Sequence, residues 1–248
     1  MNNVPTVSDS KRAFYAAHTR PINSIYRRVV EELLVEMHLL SVNSVFTYDP
    51  IFALGVINSY DRFMESYRPE EDRSSILHAI CRALNQDVVT YRQDAEAMLG
   101  AVADVDEKTL LSWLSGSLDG APEMMQRTVG ALAGQDDFKY SRLFGVGLFT
   151  LLEQAGAKLL KLKSEEQSEQ LQPIADTLHL PIDKLKKDLE TYASNLEKMA
   201  QAKVVMEEAI QAERKKRAKR EDERKAKAAA KAEKAADSEP TDQATSGS

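Results

Sequence analysis

The stretch YRRVVEELLVEMHLL, Tyr26 to Leu40, packs Glu31, Glu32, Glu36 and His38 into one apolar run. Carboxylates with a histidine form a metal donor set, so spacing decides whether that chemistry is available. Glu32 and Glu36 lie four apart and share a helix face, but at about 100° per residue His38 sits about 200° round the helix from Glu36, which is poor geometry for ligating one ion. The di-iron pattern Glu-x-x-His is absent, as is His-Glu-x-x-His, and His18, His78 and His179 are scattered without ligand spacing. The arginines explain more: Arg27 precedes Glu31 by four residues and Arg28 precedes Glu32 by four. Ion pairs are expected on the exposed face, each worth only about a few tenths of a kcal/mol. Glu32 and Glu36 are then candidates for recognition of a protein partner.

The remaining motifs point away from catalysis. Gly145-Val146-Gly147 lacks the third glycine of a dinucleotide loop and follows no strand, so it is expected to let another helix approach closely. SWLSGS around Trp113 does not match Gly-x-Ser-x-Gly. The single cysteine, Cys81 in SILHAICRAL, excludes an internal disulfide and reads as a small buried apolar residue. No enzyme activity, cofactor, metal site or small-molecule substrate is expected.

The elements that would position any surface are helical. With 43% hydrophobic residues among 248, the chain can bury a sizeable core. Ile22, Ile25, Tyr26, Val29, Val30, Leu33, Leu34, Met37 and Leu40 recur at three- and four-residue steps, predicting a helix from about Ile22 to Leu40. Asp49 as N-cap with Pro50 at the first helical position predicts a second, to about Tyr67. Others are predicted from Pro69, after the caps Asp87 and Asp106, and from about Tyr140 to Gln154, with Gly116 and Gly120 punctuating the chain. The stretch after Pro122 reads as less regular, and no alternating β-branched run argues for a sheet. No uninterrupted apolar run is long enough to span a membrane, and the N-terminus lacks the layout of a secretory signal.

The C-terminal third carries the clearest periodicity. Leu185, Leu189, Tyr192, Leu196, Met199, Met206 and Ile210 follow alternating four- and three-residue steps, broken only by Lys203, as in a coiled-coil seam, which either packs back on the body or seeks another helix; these residues are candidates for binding a partner. Beyond it the apolar series stops while alanine and charge continue. The net charge of −6 divides into +6 within 211–236 and −12 for the rest, an acidic body with a basic arm. That division argues against a nucleic-acid-binding body. Arg214, Lys215, Lys216, Arg217, Lys219 and Arg220 are the candidates for contact with an anionic lipid surface. The end, DSEPTDQATSGS, has the composition of disorder.

Two long blocks, TVSDSKRAFYAAHTRPINSIYRRVVEELLVEMHLLSVNSVFTYDPIFALGVINSYDRFMESY and FKYSRLFGVGLFTLLE, closely resemble the thylakoid formation protein family, also called the photosystem II biogenesis protein 29 family. The resemblance spans roughly Thr6 to Ile210. It implies an all-helical, non-enzymatic accessory protein, peripheral on the cytoplasmic side of thylakoid membranes, that associates with FtsH-type membrane proteases and so acts in photosystem II assembly and repair. Only Met1 to Pro5 precede the first block, so a cyanobacterial member without a transit peptide is expected. No catalytic residue carries over.

The architecture expected is all-α: a flexible start over 1–8, one multi-helix globular domain over 9–172, and a long coiled-coil-like helix over 181–235. That helix divides into a seam over 185–210 and a basic arm over 211–236, with a disordered tail over 237–248. An alternative function is organisation of thylakoid lipid or vesicles through the arm, without a protease partner.

Overall fold

The computed structural model describes the backbone of residues 4–135, 137–158 and 164–236, and their side chains other than 25, 164, 202–203, 206–207, 209–210 and 221–236. The expected disordered tail at 237–248 lies outside the described residues. The chain is all-α, with ten α-helices and no strand among the described residues.

Several helices start where a side chain can take up an orphan N–H of the first turn. Thr6 and Asp9 form a reciprocal capping box at α1 (Val7–Ala17), each side chain accepting from the other's backbone N–H. After α2 (Ser24–Ser41), the Asp49 carboxylate accepts the Phe52 N–H at 2.8 Å to open α3 (Pro50–Phe63). This helix stops four residues short of the expected Tyr67. Following α4 (Glu71–Ala83), Asp87 and Asp106 cap α5 (Val88–Ala101) and α6 (Glu107–Leu114) as their spacing predicts. The stretch after Pro122 is α7 (Glu123–Ala133), a correction to its irregular reading: Met125, Thr128, Val129 and Leu132 bury one helical face. Ser141 caps α8 (Arg142–Gln154), and α9 (Ser164–Thr177) holds Pro173 in its interior. The last helix, α10 (Ile182–Ala236), is 55 residues long.

The core is organised around α3 and α8, whose residues are buried on nearly every side. They pack most extensively on each other, and α5 covers α3. Two glycines make the approach possible. A Cβ on Gly147 would lie 1.9 Å from the Ile51 carbonyl oxygen, and one on Gly55 would lie 1.7 Å from that of Leu143. Gly147 therefore does what its sequence setting suggests, bringing backbone against backbone. Asn58 bridges the same layer, donating to Thr150 Oγ1 at 2.6 Å and to the Tyr192 hydroxyl at 3.1 Å. That half-buried amide ties α3 and α8 to the start of α10.

The first turns of α10 belong to the body. Leu185, Leu189 and Tyr192 are buried, and Tyr192 meets Phe149 and Phe63 edge to face at 5.2 and 6.2 Å. The first compact unit closes at Ser194 and the second begins at Asn195.

Asp49 has an energetic cost beside its capping role. Burial pushes its carboxyl up to about 7, against the opposing pull of the Phe52 and Ile51 N–H groups. A carboxyl with a raised folded pKa binds more protons folded than unfolded, so its contribution is fully present near pH 4 and is lost as pH rises through 7. Asp49→Asn keeps a capping oxygen without the charge. Its stability relative to the parent, from urea unfolding, should rise between about pH 4 and 7 and then level off; a difference independent of pH would refute the assignment.

Candidate functional site

Glu31, Glu32 and Glu36 lie on a tied, open groove. Its lining comes from α2, from Lys139 to Arg142 at the start of α8, from Lys184 and Asp188 on α10, and from Lys11 on α1; its volume is about 1140 Å³. Three cross-links hold these walls together. Lys11 donates to Glu31 at 2.6 Å, joining α1 to α2, and Arg142 donates to Glu36 at 2.5 Å, joining α8 to α2. The Tyr140 hydroxyl donates to Asp188 at 2.9 Å while the Lys184 ammonium sits 5.2 Å above the Tyr140 ring, joining the start of α8 to α10. Burial, reinforced by the Asp188 carboxylate, raises the Tyr140 phenol and keeps it a neutral donor.

Within the groove the carboxylates are already committed. Glu31 accepts from Lys11 and from the Tyr15 hydroxyl at 2.7 Å, contacts that hold its carboxyl below the ordinary value. The predicted Arg28 and Glu32 pair forms at 2.8 Å. The predicted Arg27 and Glu31 pair does not: Arg27 turns back to the Ile22 carbonyl at 3.1 Å, because Lys11 and Tyr15 of α1 have taken its partner. Glu36 keeps only 19% of its side chain exposed against 55% for Glu32, so of the two glutamates proposed for recognition only Glu32 is well presented to a partner.

His38 is buried on the opposite side of α2, its Nδ1 2.9 Å from the Ser10 hydroxyl. His18 is buried against Phe14 and hydrogen bonds to Ser75, with burial lowering its pKa. No cluster of three or more His, Cys, Asp or Glu suited to a metal ion occurs among the described residues. Cys81 is 1% exposed, and burial pushes its thiol up to about 12, so a nucleophilic thiolate is inaccessible at neutral pH.

The predicted seam divides in two. Leu185, Leu189 and Tyr192 are core residues of the body, with Tyr192 set against α3 and α8, so these three are not open to a partner helix. Leu196 and Met199 are half-buried, while the side chains of Met206 and Ile210 lie outside the described residues. Nearby Val204 and Val205 are 54% and 64% exposed.

Arg214, Lys215, Lys216, Arg217, Lys219 and Arg220 are all exposed. At about 100° per residue they point all round the helix, with only Ala212 and Ala218 among them for apolar contact. Such a surface attracts anions by charge and lacks the apolar face with which an interfacial helix enters lipid. No helix is long and apolar enough to cross a membrane among the described residues.

A family model described as thylakoid formation protein matches residues 6–221. The chain is 54% identical to Protein Thf1 of Nostoc punctiforme over 222 residues, covering 89% of this chain and 94% of that one. It is likewise 54% identical to Protein Thf1 of Synechococcus elongatus over 219 residues, covering 88% and 86%. A solved structure of Psb29 is similar at a TM-score of 0.63 and 45% identity, over 79% of this chain and 98% of that one.

Proposed function

The chain belongs to the thylakoid formation protein family, and from that premise we propose that it binds and maintains FtsH-type thylakoid proteases as a non-enzymatic accessory protein. In this reading it acts peripherally at the cytoplasmic face of the thylakoid, in photosystem II biogenesis and repair and in thylakoid formation. The family match carries the proposal, because residues 6–221 take in the whole body and the first part of the arm. The body supplies recognition, since its groove is rigidly tied and open. The seam beyond Tyr192, from Leu196 to Ile210, is the part left for pairing with a partner helix in a coiled coil. The arm's six cations add attraction to an anionic surface, at up to about 1 kcal/mol per nearby basic side chain.

The test is a quantitative pull-down from detergent-solubilised thylakoids, with the full chain and a chain ending at Ser194 as baits. Recovery of FtsH-type proteases by both places docking on the body; recovery by the full chain alone places it on the distal seam or arm. If neither bait recovers them, the protease reading fails. The exposed cations favour a second reading, organisation of thylakoid lipid by the arm. Salt-sensitive flotation of the full chain on anionic liposomes, lost in the Ser194 chain, combined with failure of the pull-down, would select it.

A further inference from the structure

We propose that the groove between α2, the start of α8 and α10 docks an acidic segment of a partner protein that carries an apolar anchor. The inference rests on the reading above only in taking the chain to act through a protein partner. Its basis is the balance of charge that remains once internal pairs are formed. Glu31, Glu32 and Glu36 are held by Lys11, Arg28 and Arg142, and Asp188 accepts from Tyr140. Three exposed cations on the groove, Arg27, Lys139 and Lys184, form no ion pair among the described residues, though Arg27 is near enough to Glu31 to help lower its carboxyl. Because Asp188 keeps its charge against the neutral Tyr140, six cations face four carboxylates on the lining, a surplus of two. The rest of the chain outside 211–236 is strongly acidic, so a local surplus of positive charge is unusual for this body. Screening over about 8 Å at physiological salt lets the near cations outweigh the distant acids for a ligand seated in the groove.

Apolar surface lies beside the charge. Leu39 is 55% exposed on the groove and Val35 lines it next to Glu36. A leucine exposed on an otherwise well-packed helix offers an anchor site, and flanking cations give orientation and encounter rate. The occupant is therefore an acidic peptide with a large apolar side chain. The chain's own end, DSEPTDQATSGS, has the acids but no large aliphatic or aromatic side chain. An anionic lipid surface shares the charge requirement, and competition with anionic vesicles decides between it and a peptide. Because three cross-links preform the walls, little ordering is required on binding.

The probes are short fluorescein-labelled peptides of glutamate and leucine in several spacings, with lysine-for-glutamate counterparts, titrated into the full chain by fluorescence anisotropy. Glutamate peptides should bind saturably and weaken with salt, and lysine peptides should not bind. With each rim charge worth a factor of about two to five, the combined Arg27→Glu, Lys139→Glu and Lys184→Glu chain should bind at least roughly tenfold more weakly. Lys139→Glu alone, at an exposed side chain without a bonded partner among the described residues, and Leu39→Ser should each weaken binding in a chain of unchanged helicity. Lys215→Glu with Lys216→Glu in the arm should leave it unchanged. Absence of saturable binding, affinity indifferent to the groove substitutions, or displacement of the peptide by anionic vesicles would overturn the proposal. Protease recovery is read separately: peptide binding by a chain that recovers no protease sinks the protease reading and leaves the groove standing.

Discussion

Gly147→Ala lowers the stability of the chain by roughly 3 kcal/mol, the upper end for overpacking, and its melting temperature by about 6–12 °C. The added methyl would sit 1.9 Å from the Ile51 carbonyl oxygen and 3.0 Å from the Ile51 Cγ2. A flexible side chain could swing aside, but the nearest obstacle is backbone held in α3, so α3 and α8 must separate. Gly55→Ala meets the Leu143 carbonyl at 1.7 Å and behaves alike. Separation also strains the Asn58 bridge to Thr150 and Tyr192, because its 2.6 and 3.1 Å bonds leave little slack. The control is Gly130→Ala in α7, where nothing lies within 4 Å of the added Cβ. Helix propensity then dominates and stability rises by about 0.5–1 kcal/mol. Thermal unfolding followed by circular dichroism checks all three, and equal melting temperatures for Gly130→Ala and Gly147→Ala would refute the close-crossing account.

The contrast between these glycines marks what the sequence could convey. Helices with a capping aspartate and a dense apolar stripe were legible, as at Asp49-Pro50 and after Asp87 and Asp106, because capping and amphipathicity are local. The helix α7 escaped because GAPEMMQRTVGALAG is rich in glycine and opens on proline, although Met125, Val129 and Leu132 keep helical spacing. The capping box of α1 stood in Thr6-x-x-Asp9 as a usable signal. The groove was not legible in the same way. Its cross-links join Lys11 to Glu31, Glu36 to Arg142 and Tyr140 to Asp188, pairs up to 106 residues apart, and local spacing instead assigned Glu31 to Arg27. Periodicity identified an apolar seam on α10, but heptad spacing does not say what covers it. A core-facing stripe and a coiled-coil seam share the same steps until the partner is known.

That ambiguity gives the second large effect. A chain ending just before Pro181 loses more than an arm, because Leu185, Leu189 and Tyr192 fill the body at 0%, 2% and 5% exposure. Even Leu189→Ala alone removes buried methyl groups from a site that cannot fully collapse, at a cost of about 2–5 kcal/mol. Removing all three side chains, with the Tyr192 contacts to Phe149, Phe63 and Asn58, takes away more than a domain with stability of about 5–15 kcal/mol readily spares. The shortened chain should therefore lose its cooperative thermal transition or bind a hydrophobic dye, whereas a chain ending at Ser194 should melt close to the full-length protein. Val204→Glu with Val205→Glu, at side chains already 54% and 64% exposed, should leave the melting temperature within about 2 °C. If the chain ending before Pro181 melts like the parent, the first turns of α10 are an appendage and the seam regains its claim as a docking surface. If it unfolds while the Ser194 chain does not, any binding lost on the longer deletion reports collapse of the body, and only residues beyond Ser194 can be tested for docking by truncation.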